Sequence, residues 1–128
     1  MKLLLDTHVF IWSFHAPDTL SVRARGLLED TEHILYLSIV SILEMQIKMQ
    51  MGILKLGIAL PEVIAAYRQK NRVQILPLEP EHVYKVNDLP SLHKDPFDRL
   101  LVAQAISIGA GLMSADPVVA RYPVTVLW

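Results

Sequence analysis

Lys2-Leu3-Leu4-Leu5-Asp6-Thr7-His8 is the stretch that decides the fold. Three adjacent leucines cannot alternate between core and water, so a strand here is buried on both faces. Asp6 stops the run, and the apolar Val9–Phe14 that follows predicts a short helix. The same strand-then-helix punctuation recurs along the chain. Strands are expected at Lys2–Leu5, Ile34–Leu37, Val73–Leu76, Leu112–Ser114 and Val124–Leu127. Between them, helices are expected at Ser21–Asp30, Ile39–Met51, Pro61–Lys70, Pro80–Asn87 and Pro96–Ile108. Gly52 and Gly109-Ala110-Gly111 supply the helix stops, and Leu89–Lys94 reads as a loop. Short apolar strands separated by helices predict an α/β fold, a three-layer α/β/α sandwich around a mostly parallel sheet. Such sheets bind ligands beyond the carboxyl ends of their strands, where strand order reverses.

The chain has 128 residues, 52% of them hydrophobic and 20% charged, which suits one domain over 1–128 and excludes a disordered chain. No apolar run approaches the roughly 20 residues of a membrane span, and the opening leucines are too few for a secretory signal, so a cytoplasmic location is expected. Without cysteine, disulfides and thiolate metal sites are excluded. The net charge of −1 comes from 12 basic and 13 acidic side chains spread over both halves. A partner rich in phosphate must therefore meet a local patch, or metal ions held by carboxylates, and not a polycationic surface.

Five acids stand where such chemistry would sit. Asp6 ends the first strand, where it also suits the cap of the next helix. Glu44 lies early in the third helix. Ser41-Ile42-Leu43-Glu44 fits a capping box, whereas a cap at Ser38 would leave Glu44 inside an apolar helix and in need of a cation. Pattern leans slightly to the box. In Asp95-Pro96-Phe97-Asp98-Arg99, proline at the first helical position makes Asp95 the cap and puts Asp98 on the same helix end. Asp116, in Ser114-Ala115-Asp116-Pro117, suits a turn when taken alone. Together, clustered carboxylates would repel one another unless a hard cation such as Mg²⁺ or Mn²⁺ sat among them. Asp6, Glu44, Asp98 and Asp116 are expected to share one cup, with Asp95 at its rim. His8, His15, His33, His82 and His93 show no zinc-ligand spacing, and a structural or substrate-contact role is expected for His8 and His93. Phosphate-binding glycine loops and nucleophile elbows are absent from the sequence.

Leu4-Leu5-Asp6-Thr7-His8, the segment from Leu37-Ser38 to Glu44, His93 to Ala105 and Met113-Ser114-Ala115-Asp116 together resemble PIN-domain ribonucleases. The resemblance is strongest to the VapC-like toxins of bacterial type II toxin–antitoxin systems. It covers essentially the whole chain, and Asp95-Pro96-Phe97-Asp98-Arg99 is its most specific segment. It implies a metal-dependent endoribonuclease in which Mg²⁺, or Mn²⁺ in its place, activates water. The family's acids fall on Asp6, Glu44, Asp95 or Asp98, and Asp116, with Asp98 the more strongly required of its pair. Thr7 matches a hydroxyl near the metal, and Ser114 stands where the family often has threonine. Lys48, Lys55, Lys94 and Arg99 are candidate phosphate contacts. A cognate antitoxin is the implied protein partner. Apolar residues in excess of the core, at Val9–Trp12 and from Ile39 to Leu56, suggest a homodimer and a groove for an antitoxin helix beside the site. The competing readings are a non-catalytic PIN-fold binding module and a metal-dependent phosphotransfer or phosphatase domain. The latter wants an acid pair, or Asp-x-Asp, that the first strand lacks.

Overall fold

The computed structural model describes residues 1–128, with the side chain of Asn71 left aside. Five strands, β1 (Lys2–Leu5), β2 (Ile34–Ser38), β3 (Gln74–Leu76), β4 (Gly111–Met113) and β5 (Val126–Leu127), form one sheet. Every neighbouring pair is parallel, in the order β3-β2-β1-β4-β5. Six helices connect them: α1 (Thr7–His15), α2 (Val22–Glu29), α3 (Ile39–Gln50), α4 (Leu60–Asn71), α5 (Pro80–Lys85) and α6 (Pro96–Ile108).

The leucine run behaves as its pattern demands. Leu3 and Leu5 enter one core with Phe10, Met45 and Tyr67, under α1 to α4. Leu4 points to the opposite core with Leu101, Val102 and Leu112, under α5 and α6. A central parallel strand buried on both faces is thus sandwiched between two helical layers.

Local chemistry sets the ends of the elements. Ser21 caps α2, accepting a hydrogen bond from Ala24 N at 3.0 Å. Gly52 takes φ 73° after α3, while Ile53 N donates to Lys48 O at 2.9 Å and Gly52 N to Met49 O at 3.1 Å, a Schellman closure. Most boundaries shift by a residue from the sequence expectation, and three differ by more or in kind. The first helix begins two residues earlier, at Thr7, because Asp6 caps it directly. Val86–Asp88 tightens into a 3₁₀ turn after α5. The last strand shrinks to two residues because Val124 N folds back onto Tyr122 O at 2.8 Å, in a tight turn just ahead of it.

The chain walks outward from β1 through β2 to β3, then returns to add β4 and β5 on the other side. Strand order therefore reverses between β1 and β4, and a crevice opens at their carboxyl ends. Among the described residues, no helix is long and apolar enough to cross a membrane.

Candidate active site

Asp6 lies at that crevice, only 2% exposed. Its backbone N donates to Met113 O at 3.0 Å, continuing the β1–β4 ladder one residue past the strand. One carboxylate oxygen, Oδ1, accepts from Thr7 N at 2.7 Å, so the capping role expected from sequence is real. The other, Oδ2, accepts from Ser114 Oγ at 2.6 Å and lies 3.4 Å from His8 Nδ1. Burial raises the Asp6 pKa above the ordinary carboxylate range, against the pull of His8, Ser114 and the Thr7 N–H, and Glu44 adds to the rise.

Glu44 resolves the choice between its two readings. Ser38 caps α3, accepting from Val40 N at 2.9 Å, so Glu44 is an interior helical residue and not the end of a capping box. Ser41 instead accepts a hydrogen bond from Thr7 Oγ1 at 2.9 Å, tying α3 to the start of α1. The Glu44 carboxylate is 8% exposed, with Oε2 held by Lys48 Nζ at 2.9 Å, one helical turn on. Oε1 is buried and finds no hydrogen-bond partner among the described residues. An unpaired buried carboxylate oxygen is costly, and an incoming cation would relieve it.

The start of α6 supplies the remaining acids. Asp95 caps it, accepting from Phe97 N at 2.9 Å and Asp98 N at 3.2 Å. Asp98, in the first turn, receives His93 Nε2 on Oδ2 at 3.2 Å. Burial pushes the Asp98 carboxyl up to about 7; repulsion from Asp6, Asp95 and Glu44 acts in the same direction, and the His93 hydrogen bond opposes it. The four acids Asp6, Glu44, Asp95 and Asp98 thus lie in one another's electrostatic range although they come from three separate parts of the chain.

Asp116 is joined to this group less directly. Its N donates to Ser114 Oγ at 3.1 Å, the same hydroxyl that donates to Asp6, while its carboxylate accepts from Val118 N at 2.8 Å. The turn role is therefore present. Among the described residues, no three Asp, Glu, His or Cys side chains are already gathered as a ready metal-ligand set. The donor chemistry nevertheless fits a hard divalent cation: an all-oxygen group, mutually repelling, with one buried oxygen left unpaired.

Several contacts escaped the sequence reading. His8 and His93 touch the acids directly, and Tyr122 backs His93, its hydroxyl 2.7 Å from Nδ1. Tyr122 left no local signal, because 29 residues separate it from His93. Arg99 is not a free phosphate contact: it donates to Pro90 O, Val86 O and Tyr122 OH, pinning the 86–90 segment to α6.

Comparison with known proteins agrees with this architecture. A family model for the PIN domain matches residues 3–124. Among solved structures, VapBC2 from Rickettsia felis, bound to a DNA fragment from its promoter, matches with a TM-score of 0.78 and 15% identity, covering 99% of this chain and 98% of that one. VapC20 from Mycobacterium tuberculosis, described as a sarcin-ricin loop cleaving toxin, gives 0.62 at 13% identity, covering 92% of each chain. VapBC-5 from the same organism, a member of the VapBC family of toxin-antitoxin systems, gives 0.59 at 16% identity over 98% of this chain and 95% of that one. A search of curated proteins gives no match. At such identities the structures share a fold, whereas the family match runs through nearly the whole sequence: the chain belongs to the PIN domain family.

Proposed function

We propose that residues 1–128 form one PIN domain acting as a metal-dependent endoribonuclease, the toxin of a type II toxin–antitoxin pair, in the cytoplasm. The observation that carries this reading is the grouping of Asp6, Glu44, Asp95 and Asp98 beyond the carboxyl end of β1, with Asp6 and Glu44 buried and Glu44 Oε1 unpaired among the described residues. Asp6, Glu44 and Asp98 are the residues to hold Mg²⁺ or Mn²⁺, with Asp95 and Asp116 at the margin and Thr7 and Ser114 as accessory hydroxyls. A bound divalent ion would supply Lewis-acid activation of the phosphodiester and of water.

The chain's own residues do the rest. Ser114 and Thr7 fix the Asp6 carboxylate from two sides, so it is oriented before any ligand arrives. Lys48 keeps Glu44 partly compensated and offers a cation to an approaching phosphate. No side-chain nucleophile is needed, in keeping with hydroxyls that are committed to hydrogen bonds. Cleavage of the sarcin-ricin loop by VapC20 supports RNA as the substrate class.

Protein partners follow from the surface. Leu43 is 53% exposed, Met51 66% and Ile53 65%. A groove lined by Ile47, Met51, Ile53 and Phe97 runs beside Glu44 and Asp95. An antitoxin helix suits that groove, and the same apolar surface supports a homodimer. The VapBC assemblies support the antitoxin assignment.

Incubation of the purified chain with structured and single-stranded RNA tests the activity. Cleavage is expected with Mg²⁺ or Mn²⁺ and none in EDTA. Undiminished cleavage in EDTA would refute the metal mechanism, and a metal-loaded chain that binds RNA without cutting it would favour the binding-module reading.

A further inference from the structure

Two histidines lean on the acids, and their hydrogen bonds fix where each carries its proton. Backbone Ala115 N donates to His8 Nε2 at 3.1 Å. An N–H can only donate, so Nε2 is an acceptor and the His8 proton sits on Nδ1, facing Asp6 Oδ2. His93 is the reverse. Arg99 NH1 donates to Tyr122 OH at 3.0 Å, and among the described residues the phenolic proton has one acceptor in reach, His93 Nδ1, 2.7 Å away. His93 Nδ1 is then the acceptor, and Nε2 carries the proton toward Asp98 Oδ2 at 3.2 Å.

The two arrangements differ in what they leave open. Asp6 already has donors on both oxygens, from Thr7 and Ser114, so His8 adds a third contact. Asp98 depends on His93, because among the described residues Oδ2 takes the only hydrogen bond made to its carboxylate. Holding one oxygen of a carboxylate fixes the direction of the other.

We infer that Arg99, Tyr122 and His93 form a positioning relay that locks the Nε2–H form of His93, anchors Asp98 by Oδ2 and turns Asp98 Oδ1 toward the cation. The inference rests on the metal-dependent reading of the site. None of the three touches the substrate or the ion; they act through Asp98. Tyr122 suits the task, being only 3% exposed, with its ring packed in the core beneath α6 and its hydroxyl the sole polar end. The chemistry is that of a carboxylate ligand whose orientation is set by an outer hydrogen bond, a class of contact worth roughly 10–100-fold in metal affinity.

The test uses the full chain, stripped of metal, with Mn²⁺ as the probe. Long-range ¹⁵N NMR of the wild type should show His93 protonated at Nε2 and His8 at Nδ1. Tyr122→Phe should lose the single His93 form and bind Mn²⁺ about 10-fold more weakly by calorimetry. In RNA cleavage its kcat should fall while KM stays near the wild-type value. His93→Gln, whose amide can still donate to Asp98, should keep Mn²⁺ affinity within about threefold of wild type, and His93→Ala should not. That pair carries the test if Tyr122→Phe folds poorly. A wild-type His93 protonated at Nδ1, or a folded Tyr122→Phe with undiminished Mn²⁺ affinity, would overturn the relay. The two readings fail separately. Relay-dependent Mn²⁺ binding without RNA cleavage would keep the relay and sink the nuclease, whereas metal-dependent cleavage indifferent to Tyr122 and His93 would do the opposite.

Discussion

Two buried polar clusters sit at the carboxyl end of the sheet, and they are built on opposite principles. In one, Ser38 Oγ donates to Gln104 Oε1, while Gln104 Nε2 donates to Pro77 O at 3.2 Å and lies 3.3 Å from His82 Nδ1. Ser38 and Gln104 are wholly buried, the interacting groups are neutral, and every buried side-chain atom among them has a partner. In the other, Asp6, Glu44 and Asp98 bring like charges together and leave Glu44 Oε1 without a partner among the described residues. Only two turns of α3, from Ser38 to Glu44, separate them. Among the described residues the first cluster is fully paired, whereas the second leaves one buried oxygen unpaired, which suits the proposed cation.

Substitutions should separate the two clusters cleanly. The largest effect is expected from Asp6→Asn, which removes charge but keeps shape: RNA cleavage should fall by at least about 10²-fold with the melting temperature little changed. A loss of cooperative folding in that variant would show the acidic cluster to be structural after all. Gln104→Ala should do the converse, costing about 3–4 kcal/mol in denaturant unfolding, because it opens a cavity and strands the Ser38 hydroxyl and the Pro77 carbonyl. Cleavage per folded molecule should survive it.

A pH titration sharpens the contrast. The Asp98 carboxyl has a pKa near 7 in the fold, against 3.8 for an ordinary aspartate. The folded state therefore binds the proton more tightly than the unfolded state, and the stabilisation is full below pH 3.8 and lost as pH rises through about 7. Metal-free protein should lose about 2 kcal/mol across that window, roughly half of what the full displacement would give, since water still reaches part of the carboxyl. Asp98→Asn should flatten the slope, and Mn²⁺ should restore stability at the high-pH end. Equal slopes for wild type and variant would show that Asp98 does not carry the effect. The smallest change is expected from Ser21→Ala, outside both clusters, about 1 kcal/mol of stability from the lost cap of α2, read by thermal melting at constant pH with activity retained.

What the sequence disclosed, and what it withheld, follows the range of the interactions. The buried leucine run, the proline that makes Asp95 a cap and the glycine stops at Gly52 and Gly109 are local, and each is legible from a few neighbouring residues. The acids near strand ends were legible for the same reason, since an open parallel sheet gathers its strand termini along one edge. Glu44 was ambiguous because Ser38 and Ser41 are equally good caps in isolation. Only the register of β2 against β1 and β3, which ends β2 at Ser38, settles the choice. The contacts of Tyr122 and His93 were invisible because no periodicity links a tyrosine in a late turn to a histidine ahead of α6. Arg99 misled for a related reason: a basic residue next to an acidic site invites a phosphate, yet its donors reach back to the 86–90 segment.

The central place of β1 also orders the making of the molecule. Protein synthesis is vectorial, so Asp6 leaves the ribosome long before Ser114, 108 residues later, which must return to hold it. Until β4 docks, β1 has an open edge, and Asp6 lacks both the Met113 carbonyl that fixes its backbone and the Ser114 hydroxyl that fixes its carboxylate. Ser114 in turn depends on β5, donating its own N–H to Leu127 O at 3.2 Å. The fixed orientation of Asp6 is consequently a late product of translation, set only after the far strands have emerged.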